Sequence, residues 1–169
     1  NMENIFGLDP NAGTNAGIWT MVKYQMSWPG SGAPYYTDEG GVRRTFYGIN
    51  SVPRLEINGE WDSNPSGLTQ GIVDSYNTPA FLEVNSTYSV SGQTVTVDAT
   101  FTAVASTSGL QSSNLVYHIA IMEHETVQNT GTIGETYFNF VMKKMVPDAN
   151  GTSIGPFTLN TPVTVIESY

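Results

Sequence analysis

The side chains in this 169-residue chain whose types invite chemistry are few. His118, His124 and the run Glu123-His124-Glu125 offer nitrogen and carboxylate ligands close together in sequence. On a strand the two histidines share a face but stand roughly 20 Å apart along the chain, too far to orient one nucleophile together. Alternation also turns His124 away from Glu123 and Glu125, so three or four ligands do not converge as zinc requires. The expected reading is a solvated strand end, with no metal site. Asp148-Ala149-Asn150-Gly151 resembles part of a calcium loop but lacks the distal glutamate, and reads as a turn.

Cysteine is absent, which excludes thiolate redox exchange, disulfides and a cysteine nucleophile within these residues. There is no Gly-x-Ser-x-Gly elbow and no phosphate loop. The expectation is a protein that is not an enzyme and carries no cofactor. The best surface for a ligand is the aromatic loop from Trp28 to Tyr36, where Trp28, Tyr35 and Tyr36 offer large planar area at low entropic cost. The competing reading is that these rings cover the end of a sheet. Arg43 and Arg44 are expected to form solvated pairs with Asp38 or Glu39 across one helical turn.

These residues must be held by regular elements. Ile18 to Met26 is rich in β-branched and aromatic residues and predicts a strand. Trp28-Pro29-Gly30-Ser31-Gly32-Ala33-Pro34 then breaks regular structure. Thr37 or Asp38 can cap a short helix carrying Val42 and Phe46, with Gly48 closing it. Val52-Pro53 precedes Arg54-Leu55-Glu56-Ile57 and the hairpin signal Asn58-Gly59. Gly67 to Tyr76 predicts a second amphipathic helix, ended by Asn77-Thr78-Pro79.

Beyond Pro79 the texture changes to short strands separated by turns, with no helix between them. Strands are expected at 81–84, 87–90, 94–101, 115–122 and 163–166. In the 115–122 strand Tyr117, Ile119 and Ile121 should face inward, with His118 and Ala120 on the other side. The expected domains are therefore 1–78 and 79–169.

Charged residues supply only 12% of the chain and aromatics 11%, the composition of a folded protein with a polar, uncharged surface. Fifteen acidic residues against six basic ones give a net charge of −9, which makes nucleic acid and anionic membrane surfaces poor partners. No apolar run reaches the length of a membrane-spanning helix.

The order strand, helix, X-Pro turn, hairpin, helix in the first half resembles the thioredoxin fold, with Val52-Pro53 where that fold keeps a cis-proline. A narrower resemblance rests on Val22-Lys23-Tyr24-Gln25, Trp28-Pro29-Gly30, Pro34-Tyr35-Tyr36, Arg43, Tyr47-Gly48-Ile49 and Val52-Pro53 in the first half. In the second half it rests on His118-Ile119-Ala120-Ile121-Met122-Glu123, Gly134-Glu135-Thr136, Val141 to Pro147 and Gly151-Thr152. Together these resemble the Omp28-related outer-membrane or secreted proteins of the Bacteroidota. Ala33 departs from the pattern, where members usually carry an aspartate.

The resemblance implies an incomplete thioredoxin-like α/β domain without its cysteine motif, followed by an antiparallel Ig-like β-sandwich, the whole truncated at both ends. It implies an extracellular, cell-surface or periplasmic location. Taken with the residue chemistry, the expectation is a non-catalytic binding or structural module whose candidate peptide- or ligand-binding residues, on the cis-proline side of the thioredoxin-like half, are Trp28, Tyr35, Tyr36, Val52, Pro53 and Arg54. The alternative is an accessory fragment of a thiol-disulfide oxidoreductase, or other secreted enzyme, whose cysteines lie upstream. Without the family's central strand, an open slot is expected between Ile18–Met26 and Arg54–Ile57. It would be filled by residues 1–8 or by a strand from another chain, with a homodimer through exchanged termini as one consequence.

Overall fold

The computed structural model describes residues 17–62, 68–106, 114–131 and 134–169. Among the described residues, most of the regular structure is antiparallel sheet, with two helices. The chain divides into two compact units. The first holds the described residues up to Pro79 together with Met122–Lys144, and the second holds Ala80–Ile121 with Met145–Tyr169. Where the sequence suggests one cut near residue 79, the structure returns a later segment to the first unit.

In the first unit, helix α1 spans Asp38–Phe46. Thr37 is its N-cap, with extended backbone and a hydroxyl that accepts the Gly40 N–H at 3.1 Å. Asp38 and Glu39 sit in the first turn and Arg43 and Arg44 in the last, each sign at the end of the helix dipole that favours it. Strands β1 (Leu55–Ile57) and β2 (Glu60–Asp62) form the expected hairpin, with Asn58 and Gly59 both at positive φ. Helix α2 spans Leu68–Tyr76 and buries Ile72 against Ile18, Trp19, Leu55 and Ile57. The Val52–Pro53 bond is cis, as are Trp28–Pro29, Val146–Pro147 and Gly155–Pro156.

The expected strand at Ile18–Met26 is reduced to a single parallel bridge, Lys23 opposite Val141. Its partner is strand β7 (Phe138–Val146), which also pairs with β6 (Ile119–Thr126). Phe138 to Met142 are five consecutive buried residues. Four of the five, Phe138, Phe140, Val141 and Met142, are apolar, which suits an interior place with backbone partners in β6 and at Lys23. The proposed replacement strand at residues 1–8 lies outside the described residues.

In the second unit, β3 (Leu82–Ser91), β4 (Thr94–Ala103) and β9 (Pro162–Ser168) form an antiparallel sheet in the order β3-β4-β9. Strand β5 (Val116–Tyr117) pairs with β8 (Thr152–Ser153). Ala103, Tyr117, Ile154 and Phe157 form the buried core, with Leu82, Phe101, Val163 and Val165 packed on it. The single strand expected over 115–122 is broken at His118, because its two halves pair with different neighbours, β8 and β7. Tyr117 is buried as expected, but Ile119, Ala120 and Ile121 are all half-buried, so the clean alternation does not appear.

Candidate functional site

A concavity in the first unit is an open cleft of about 1250 Å³. Residues 17–26 and 52–59 supply two stretches of its lining, and Ile72 of α2 packs against Ile18 and Trp19 of the first and Leu55 and Ile57 of the second. This is the region where the sequence predicts a slot.

The backbone geometry of the two walls follows from their ladders. The Lys23 N–H donates to the Phe140 carbonyl at 2.8 Å, and the Lys23 carbonyl accepts the Met142 N–H at 3.0 Å. In an extended chain the groups of successive residues point to opposite edges, so those of Val22 and Tyr24 point away from β7. Among the described residues they have no backbone partner. On the other wall, Ile57 and Glu60 flank the two-residue turn and form its hydrogen-bonded pair. Glu56 opposite Trp61 is then a pair without backbone hydrogen bonds, and its N–H and C=O point away from β2. Both walls therefore carry backbone groups directed away from their own strand partners.

The side chains around the cleft are unusually basic for this chain. Lys23, Arg43, Arg44 and Arg54 line it, four of the six cations in a protein of net charge −9. The lining carboxylates among the described residues are Glu56 and Glu135, and Glu56 is paired with Arg54 at 3.2 Å. Arg43 is not the solvated helix-surface residue expected from the sequence. It is 7% exposed, donates to the Tyr47 hydroxyl at 2.6 Å, and lies over the Phe46 and Tyr47 rings at 4.5 and 4.7 Å. The aromatic surroundings accept a flat, weakly hydrated guanidinium where they would reject a compact ammonium. Burial pushes the neighbouring Tyr24 phenol up, and the charge and hydrogen bond of Arg43 work against that shift. Arg44 lies over the Trp28 ring at 5.3 Å and donates to the Ile49 carbonyl at 3.0 Å.

The six residues singled out from the sequence separate into two groups. Trp28, Val52, Pro53 and Arg54 line the cleft. Tyr35 and Tyr36 do not, and Tyr35 is tied elsewhere in the unit. Its hydroxyl accepts from Thr126 at 2.9 Å, its ring packs edge-on to Phe138 at 5.1 Å, and the Lys143 ammonium sits 4.0 Å from its centroid. The hydrogen bond from Thr126 comes first among the influences that lower its phenol pKa. No sequence motif marks Lys23, Arg43 and Arg44 as ligand-facing. Their clustering depends on Lys23 and α1 meeting in space, which no short motif encodes.

The candidate metal ligands are engaged individually. Glu123 pairs with Lys143 at 2.7 Å, Glu125 accepts from the Tyr137 hydroxyl at 2.9 Å, and the His124 ring packs edge-on to Phe140 at 4.8 Å. Asp148 accepts from both the backbone and side-chain nitrogens of Asn150, the former first among the causes that lower its pKa. That is a closed Asx turn.

Comparison with protein-family models, with curated proteins and with solved structures returns no match for this chain.

Proposed function

We propose that this chain is a non-catalytic binding module of the cell envelope or of a secreted protein, and that its cleft takes an extended polypeptide segment. The observation that carries this reading is the pair of cleft walls whose backbone groups at Val22, Tyr24 and Glu56 point away from their own ladders. Exposed strand edges with such groups are templates for an added strand. An inserted segment would gain main-chain hydrogen bonds from either wall and apolar contact with Ile18, Leu55 and Ile57. The helix, Val52-Pro53, hairpin, helix order supports a thioredoxin-like origin for the first unit. The β3-β4-β9 sheet with the β5-β8 ribbon supports an Ig-like sandwich for the second. The Omp28-like motifs support a surface or periplasmic location.

Hydrogen exchange with and without a panel of unstructured eight-residue peptides tests the reading. Slowed exchange at Val22, Tyr24 or Glu56 is expected for a binding peptide. Binding that leaves all three amides unchanged would place the partner elsewhere. Light scattering then separates a segment donated by a second copy, which doubles the mass, from one supplied by another protein.

A further inference from the structure

We infer that the segment bound in this cleft is acidic, an extended strand carrying glutamate or aspartate side chains. The inference rests on the cleft reading above and adds the charge of the occupant. It is carried by the placement of cations in a chain that has few. A surface of net charge −9 repels acidic partners in general, so a local concentration of positive groups is a deliberate exception. Lys143 and Lys144, the two cations away from the cleft, are each spent on a carboxylate, Glu123 and Glu39. At the cleft, the described ion pair is Arg54 with Glu56. Lys23 and Arg44 line the cleft and form no ion pair among the described residues.

The geometry suits a strand better than a small anion. Lys23 lies in the 17–26 stretch of the lining and Arg54 in the 52–59 stretch, while Arg43 and Arg44 come from α1, so the positive groups reach the cleft from three separate segments. An extended segment places its side chains on alternate faces at roughly 6.6 Å intervals on each face, and can offer successive carboxylates to cations on separate segments. Arg43, enclosed by Tyr47, Phe46 and Tyr24, contributes a fixed field. Lys23 and Arg44 supply the movable contacts.

The test uses the full chain and three fluorescein-labelled eight-residue peptides of alternating valine and glutamate, valine and glutamine, or valine and lysine. Affinity is read by fluorescence anisotropy at low and high salt. The glutamate peptide should bind about tenfold or more tightly than its glutamine isostere, the ratio expected from one or two charge-assisted contacts. That advantage should shrink at high salt and in the Lys23→Gln/Arg44→Gln double variant, whose fold is checked by its melting temperature. Equal binding of the glutamate and glutamine peptides would overturn the charge inference while leaving the cleft reading intact. Tightest binding by the lysine peptide would also overturn it. Failure of all three peptides to bind would overturn the cleft reading itself. An advantage unchanged in the double variant would show that the acidic peptide binds elsewhere. Displacement of the glutamate peptide by equimolar free glutarate would replace the strand with a small dicarboxylate and overturn the inference.

Discussion

At the scale of single residues, charge in this protein is scarce and each charged group is placed. Glu39 in the first turn of α1 meets the Lys144 ammonium at 2.6 Å, and its side chain is 19% exposed. The hydrogen bond from Lys144 is the largest influence holding the Glu39 carboxyl below its ordinary value of 4.5. A carboxyl whose folded pKa is depressed stabilises the fold above its unfolded pKa and loses that contribution as pH falls through the folded value. Glu39→Gln should therefore cost at most about 1 kcal/mol near neutral pH. The gap between variant and parent should close as pH is lowered from about 5 to about 3. Urea unfolding of both proteins across that range measures it, and a gap constant with pH would assign the cost to packing instead of charge. The sequence marks Glu39 as lying at the start of a helix and suggests Arg43 or Arg44 as its partner, because helix spacing is the only proximity a sequence displays. Lys144 lies on β7, more than a hundred residues along the chain, and only the fold brings it near.

At the scale of elements, local chemistry was legible wherever the deciding groups are neighbours in sequence. The Thr37 cap, the Asn58-Gly59 hairpin and the end of α2 at Asn77 all follow from residues within a turn of one another. Elements defined by distant pairing were not legible. Ile18–Met26 has strand composition, yet only Lys23 is bridged, and the 115–122 run breaks at His118 because its ends find different partners. The β3-β4 hairpin shows the same dependence in its packing. Val84, Tyr88, Val97 and Phe101 share one face of the ladder, since Val84 lies opposite Phe101 and Tyr88 opposite Val97. Phe101 packs on the core and lies 6.1 Å from the Tyr117 ring, whereas Tyr88 is 76% exposed. Equal truncations on this one face should have unequal costs. Phe101→Ala should lose about 2–4 kcal/mol, somewhat less than a fully buried phenylalanine. Tyr88→Ala should stay within about 0.5 kcal/mol of the parent. Chemical denaturation of the two variants decides the matter, and similar losses would mean that Tyr88 is covered in solution.

At the scale of the whole molecule, the segment from Met122 to Lys144 determines what can fold by itself. The change of texture at Pro79 suggests a boundary between 1–78 and 79–169, while the first compact unit also takes in Met122–Lys144. Lys23 finds its backbone partners on Phe140 and Met142. Tyr35 is fixed by Thr126, Phe138 and Lys143, and Glu39 by Lys144. The large buried side chains Phe138, Val141 and Met142 also belong to this later segment, while the buried apolar side chain among the described residues before Pro79 is Ile72. A fragment of residues 1–79 would therefore keep α1, α2 and the β1-β2 hairpin but lose the strand that bridges Lys23 and meets α1 at Thr37 and Glu39. Short helices and a lone two-stranded hairpin are marginal in water without such packing. The fragment should show weak far-ultraviolet dichroism, poor amide dispersion in NMR and no cooperative thermal transition. Adding residues 80–169 as a second polypeptide should restore all three if the two pieces recombine through β7. A fragment 1–79 that melts cooperatively by itself would show that the first unit needs nothing from β7, and that the single boundary suggested by the sequence is the one the protein uses.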